Sequence, residues 1–279
     1  MTQMGAEREV VISPLSAFAQ GQDRIIKRML TTRDRSVAEL VRNRTKMLAE
    51  RRMEANRKIK PYRPFHEVMR DGAWAGERCF IIGGGPSLLG FDFERLRGRG
   101  KVIAINRAFE HVPFADICFF MDASSNTFYG LVKGGKLGEA TRQAWEAFEG
   151  FKVYLNLVGR KLEDVYSIRS LGKTGVSNSI KKGLYHGNNS GVGAIGLAMC
   201  LRANPIYLLG FDCGFSGGKS HYHGGYPAKM SENIFKGFAH DFARLNKFIK
   251  RTRFRVVNLN PKSRLRCFPF STIEEVLGK

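Results

Sequence analysis

Short apolar runs of four to six residues, each stopped by turn residues, set the pattern of this chain. The first three cover residues 79–82, 102–105 and 117–121. Runs of this length, rich in Ile, Val and Phe, predict strands buried on both faces and therefore a parallel sheet. Each ends on small or polar residues: Gly83, Gly84 and Gly85 followed by Pro86 and Ser87, then Asn106, then Asp122. Residues 152–157, 205–209 and 255–259 predict three further strands, the second ending at Asp212. Helical periodicity appears over 138–148 and over 232–251, where Phe235, Phe238, Phe242 and Leu245 recur at three- to four-residue spacing and predict a core face. Residues 190–203 (SGVGAIGLAMCLRA) predict a small-residue helix packed closely on the sheet, with Ser190 as N-cap and Asn204-Pro205 as its stop.

Three stretches lack periodicity. Residues 123–136 read as a loop of Ser, Asn and Gly, and 159–189 as a long loop carrying Arg160, Lys161, Arg169, Lys173, Lys181 and Lys182 that would cover a site. Residues 214–227 (GFSGGKSHYHGGYP) hold His221, Tyr222 and His223 between glycines, the pattern of a hinged lid. Together the elements predict an α/β fold, a Rossmann-like, mostly parallel sheet flanked by helices, over residues 71–279.

Residues 1–70 read differently, as a basic helical extension. A capping box at Ser36 and Glu39 opens a helix over about 36–59 that Pro61 and Pro64 end, beginning a linker. Fourteen Lys and Arg stand between Arg24 and Arg63 against four acids, and nine stand between Arg244 and Arg266 against none. The whole chain of 279 residues carries 46 Lys and Arg, 25 Asp and Glu and a formal net charge of +21. That balance predicts a polyanionic partner, with nucleic acid foremost. Arg42, Arg44, Arg51, Arg52 and Lys58 in the extension, Lys181 and Lys182 in the long loop, and Arg251 and Arg253 near the end are the candidate contacts. A solvated basic surface would give the same composition.

Five cysteines, odd in number and without CxxC spacing, predict neither a disulfide framework nor a cysteine zinc site. No leader pattern and no apolar run near 18 residues is read, so a membrane span is not expected. A reducing cytoplasm fits, that of a host if the source is viral.

The strand-end groups carry the candidate chemistry, because open α/β sheets bind ligands outside the carboxyl ends of their strands. The glycine turn is neither GxGxxG nor a P-loop, so it predicts close approach of a phosphate to backbone N–H groups without naming the nucleotide. Asn189, Ser190 and Gly191, at the start of a helix, supply an anion site. His221 suits a general base near neutral pH. His221 and His223 would also alternate onto one side as a metal pair, with only His240 nearby in sequence and no CxxC to complete a zinc site.

The order strand–GGGPSL, strand–Asn106, strand–Asp122, then NNSGVGAIGLAMCLRANPIYLLGFD, HYHG and NLNPKSRL resembles one superfamily over roughly residues 78–266. It includes bacterial family-42 sialyltransferases and archaeal-type 6-hydroxymethylpterin diphosphokinases. The resemblance implies a Rossmann-like domain that binds an activated nucleotide at the carboxyl edge. GGGPS matches the sialyltransferases' Gly-Asn-Gly-Pro-Ser, with Gly84 in place of an asparagine that contacts the nucleotide. Asn106 matches their second nucleotide-binding asparagine, Ser190-Gly191 their Ser-Gly at the helix start, and His221-Tyr222 their His-Tyr, whose histidine is the general base. Two features depart. Their sialate-binding arginine falls at Gly187, and Cys213 and Gly214 stand where their phosphate-contacting tyrosines would be. A sialic acid donor is therefore not implied, while a nucleotide-activated donor is.

The expected function is a nucleotide-dependent transferase, a glycosyltransferase using a nucleotide-sugar, with DNA or RNA as acceptor, as in modification of genome bases. Gly83, Gly84, Gly85, Ser87, Asn106, Asp122, Asn189, Ser190, Gly191 and Asp212 would bind the donor and His221 would act as base. Two alternatives stand beside it. One is a pyrophosphokinase-like enzyme, in which Asp122 and Asp212 hold Mg²⁺ against ATP, as the pterin diphosphokinase resemblance implies. The other is a basic nucleic-acid-binding or assembly protein without catalysis.

Overall fold

Strand β1 (Cys79–Ile82) is buried along its whole length and pairs in parallel on both sides. One neighbour is β2 (Lys101–Ile105) and the other is β7 (Ile206–Leu209). Outward from β2 lie β3 (Ile117–Phe120), β4 (Phe151–Asn156), β5 (Tyr166–Gly172) and β6 (Leu184–Tyr185), and beyond β7 lies β8 (Val256–Asn258). The eight-stranded order is β6-β5-β4-β3-β2-β1-β7-β8, and every pairing is parallel. This computed structural model describes residues 62–224 and 230–278, together with Glu39, Asn43, Arg44 and Met47, which are helical. The sheet belongs to a compact unit spanning Asn56–Lys279. The expected α/β, Rossmann-like architecture is the observed one.

Alternation along the strands divides the core in two. Cys79, Ile81, Ile103, Ile105, Ile117 and Phe119 face helix α3 (Ser190–Cys200) and helix α4 (Glu232–Ile249). Phe80, Ile82, Val102, Ala104, Cys118 and Phe120 face the other way. There they meet α1 (Phe128–Lys133), α2 (Glu139–Ala147), α5 (Ile273–Leu277) and the 3₁₀ turns of residues 86–110. Every residue of α3 is buried, which its glycines and alanines permit: a Cβ on Gly193 would lie 2.9 Å from the Phe119 ring. Phe235, Phe242, Leu245 and Ile249 form the buried face of α4, as their spacing predicts.

Several expectations need correction. Residues 159–189 are not a loop over a site but contain β5 and β6. Their strand signal is weak because Ser167, Ser170 and Gly172 occupy buried positions where apolar residues would normally stand. Residues 123–136 contain α1, anchored by buried Phe128, Leu131 and Val132. The stretch expected as a linker packs on the sheet: Pro64 bridges to Ser167 in β5, and Phe65 is fully buried against Phe151 and Tyr166. The helix expected over 36–59, with Ser36, Arg42, Arg51, Arg52 and Lys58, otherwise lies outside the described residues; Arg44, which is described, is exposed. Among the described residues no helix is long and apolar enough to cross a membrane.

Candidate functional site

The strand order turns at β1. From β1 the chain winds outward through β2 to β6, then returns across the sheet to place β7 on the other side of β1. Connections diverge on the two sides of such a switch point, leaving a crevice at the carboxyl ends of the strands. A cleft holding about 780 Å³ of empty space, partly open to solvent, lies there. Gly83, Gly84, Gly85, Asn106, Asp122, Asn189, Ser190, Gly191, Asp212 and His221 all line it. Ser87 does not. Its hydroxyl lies 3.0 Å from Asp212 Oδ2, on the side of the turn away from the cleft.

The glycines are required chiefly by the protein's own packing. A Cβ on Gly85 would fall 1.7 Å from Asp212 Oδ2, and one on Gly84 would fall 2.8 Å from His221 Cδ2. A side chain at Gly84, such as the asparagine of the resemblance, would require the His221 ring to shift. The Gly83 N–H donates to the Leu209 carbonyl and the Gly85 N–H to that of Gly210, both at 2.8 Å. Two of the three donors expected to face a phosphate are therefore spent on the end of β7 and the residue after it.

Asp212 is a structural pin. Oδ2 accepts from the Ser87 hydroxyl and backbone N–H, and Oδ1 from Asn260 Nδ2, while burial pushes its carboxyl above the ordinary value. Asp122 is exposed to the cleft and accepts no side-chain hydrogen bond from a described residue; desolvation by the surrounding protein raises its carboxyl also. Both Asp212 oxygens are already engaged within the protein, whereas Asp122, the other carboxylate of the pyrophosphokinase alternative, faces no described side-chain donor. Among the described residues no group of three His, Cys, Asp or Glu is placed to hold a metal.

Two amides do point at a ligand. Asn106 sits at φ 51°, a left-handed conformation that asparagine tolerates better than most residues, and its buried Oδ1 has no partner. Asn189, rather than Ser190, caps α3: its Oδ1 accepts from the Val192 N–H at 2.9 Å, and its buried Nδ2 has no partner. A buried unpaired polar atom costs about 1–3 kcal/mol, so such atoms mark a place where a ligand or water completes the bonding. The first N–H groups of α3, at Ser190 and Gly191, lack intrahelical acceptors and face the same cleft.

His221 lies over the glycine turn, held by the Tyr222 N–H donating to the Gly84 carbonyl at 3.1 Å and by the Ser220 hydroxyl 3.0 Å from Nδ1. Its ring centroid is 5.1 Å from that of His223. Burial, and then the Arg107 guanidinium, holds His221 below the usual histidine range, and burial with His221 and Arg107 pushes His223 down to about 4. Both rings are neutral at pH 7. Arg107 forms a nearly buried two-pronged ion pair with Glu110, at 2.5 and 2.9 Å, and donates to the Gly224 carbonyl at the end of this segment.

Sequence reasoning missed three parts of the site. Asp241 on α4 accepts the Asn188 N–H at 3.1 Å and so fixes the entry to α3. The Arg107–Glu110 pair gave no motif. Phe211, Phe235, Phe238 and Phe242 form one wall of the cleft as well as core, which the helical stripe alone did not distinguish. The cations expected as phosphate partners are elsewhere: among the described lining residues there is no Lys or Arg, and Lys181 and Lys182 follow a loop at the opposite edge of the sheet.

With this geometry in place, one solved structure is similar. It is the sialyltransferase CstII from Campylobacter jejuni in complex with a substrate analogue, cytidine-5′-monophosphate. The match covers 70% of this chain and 85% of that chain, at 16% identity and a TM-score of 0.40. That degree of similarity assigns neither site nor substrate. No family model and no curated protein matches the chain.

His186, between β6 and the Asn188-Asn189 turn, is 7% exposed with an unpartnered Nδ1. Burial first, and Lys173 second, pushes it down to about 4. The unfolded chain protonates this histidine near pH 6.5 and the folded chain does not. Stability from this group is therefore present above pH 6.5 and lost as pH falls toward 4, by up to about 3 kcal/mol. Urea midpoints measured between pH 7 and pH 4 should show this loss, and His186→Gln should flatten it.

Proposed function

We propose that the chain is a nucleotide-dependent transferase that binds its donor in the cleft at the carboxyl edge of the sheet. The observation that carries this reading is that Asn106 and Asn189, each with a buried amide atom that has no partner, line one cleft together with the start of α3 and His221. Amides of this kind recognise the polar edge of a base or sugar, and helix N–H groups hold phosphate. The phenylalanine wall opposite supplies an apolar face for a base or ribose.

We read the donor as a nucleotide-sugar and the reaction as glycosyl transfer. His221, neutral at pH 7, would take the proton from the acceptor hydroxyl as that oxygen attacks the anomeric carbon. The bond from that carbon to the phosphate oxygen breaks, and the N–H groups at Ser190 and Gly191 stabilise the departing phosphate. The pyrophosphokinase alternative fits less well because Asp212 is engaged with Ser87 and Asn260. For the acceptor we propose nucleic acid, on the ground of net charge +21. Incubation of the protein with CMP-, UDP-, GDP- and ADP-sugars, with and without oligonucleotide, tests the reading through release of free nucleotide. Release from one donor, accelerated by oligonucleotide, is expected. Release from none, with ATP consumed in the presence of magnesium, would favour the pyrophosphokinase instead.

A further inference from the structure

Charge is divided sharply along the folded domain. Residues 71–164 carry twelve Lys and Arg and twelve Asp and Glu, whereas residues 165–271 carry seventeen Lys and Arg against Asp212, Glu232 and Asp241 alone. Those three acids are already committed: Asp212 to Ser87 and Asn260, Asp241 to the Asn188 N–H, and Glu232 to Arg264 at 2.6 Å. Cations therefore outnumber acids in this half, and the fold gathers several of them around a second concavity.

That concavity lies at the amino edge of the sheet, opposite the nucleotide cleft. The end of α3 leads there into the start of β7, and Thr252–Phe254 lead there from α4 into the start of β8. It is partly open to solvent and spans about 930 Å³ including that open space, with Val176, Met199 and Phe254 among its apolar and Asn178, Arg202 and Arg253 among its polar lining residues. Arg202 stands in a left-handed conformation, φ 61°, with its stem laid over Gly72. The side chains of Arg202, Arg253, Arg251 and Lys181 make no hydrogen bond or ion pair with a described residue, and all four are exposed. Lys182 reaches only Asn178 Oδ1, at 3.3 Å. Asp71, which is exposed, accepts the Ile180 N–H at 2.7 Å. The carbonyls at the end of α3 are occupied too, since Cys200 and Leu201 accept from the Gly72 and Trp74 N–H groups. The arginines are thus not needed to satisfy that helix end.

We propose that this amino-edge groove binds the backbone of a single-stranded nucleic acid, as a tether separate from the nucleotide cleft. Guanidinium groups on a rim take phosphodiester oxygens in two-pronged fashion, and an aromatic side chain on the floor offers a face for a base. Lys182, which reaches Asn178, its neighbour Lys181, and Arg251, which precedes Thr252, add cations next to the lining residues. The proposal does not depend on the transferase reading.

The test uses the full chain and a 5′-fluorescein-labelled oligo(dT) 20-mer, titrated by anisotropy at several salt concentrations. Arg202→Gln/Arg253→Gln is compared with Arg99→Gln/Lys136→Gln, which removes equal charge from exposed positions in the electroneutral half. The groove variant is expected to lose at least about tenfold in affinity, and its plot of log K against log salt to flatten by about 1.4, at roughly 0.7 per contact. The control variant should lose less than about twofold. Lys181→Gln/Lys182→Gln should show a loss of the same kind. Equal losses in the groove and control variants, or no loss in either, would overturn the proposal. So would capture of phosphatidylserine vesicles that the groove variant abolishes while oligonucleotide binding is unchanged, which would assign the groove to an anionic membrane.

Discussion

Alanine at His221 is expected to lower turnover about 10²–10⁴-fold while leaving nucleotide affinity nearly unchanged. The ring lies on the glycine turn inside the cleft, and its position is fixed from both sides by Ser220 and by the Tyr222 backbone. Burial and the Arg107 charge keep it unprotonated at pH 7, the state a base must be in to accept a proton. Because its folded value lies below the ordinary histidine range, the acid limb of kcat/KM should fall below pH 6.5. His223→Ala should cost much less, since His223 packs against His221 but is not among the described residues lining the cleft. Steady-state release of nucleotide, measured between pH 5 and 8 for both variants, checks the assignment. Equal losses in the two would point to a shared structural role.

Gly85→Ala is expected to have the largest effect on stability. Its new methyl would fall 1.7 Å from Asp212 Oδ2 and 2.5 Å from the Gly210 carbonyl oxygen. Neither can withdraw cheaply: Asp212 holds Ser87 and Asn260, and Gly210 accepts the Gly85 N–H. Forced overpacking costs about 1–3 kcal/mol, and losing hydrogen bonds to a charged group adds about 1.5–3. A loss of about 3–5 kcal/mol is a large part of the stability of an ordinary domain. Denaturant unfolding checks it. The double variant Gly85→Ala/Asp212→Ala should lose less than the two single losses combined, because removing the carboxylate relieves the clash.

The sheet was legible where the strands are wholly apolar. β1 runs over the predicted residues because Cys79–Ile82 is buried on both faces and stopped by glycine. β5 was not legible, because its inward Ser167 bonds to Tyr62 and Arg63 and its inward Ser170 accepts the Gly172 N–H, so neither supplies an apolar signal. The strand-end polar residues come together at one cleft because parallel topology sends every carboxyl end to one edge. The sequence did not reveal which polar residues the protein itself consumes. Ser87 and Asp212 read as ligand contacts and are bonded to each other, while Asn189 and Ser190 exchange the roles of cap and neighbour. Such distinctions depend on contacts between segments more than 100 residues apart, such as Ser87 with Asp212.

Isothermal titration of the protein with CMP, UDP, GDP and ADP tests the central claim most directly, repeated on Asn106→Ala and Asn189→Ala. One nucleotide should bind, and each variant should weaken it by about 0.5–1.5 kcal/mol, roughly two- to twelvefold, through loss of one hydrogen bond. Binding of none of the four, or binding with unchanged affinity in both variants, would contradict the account.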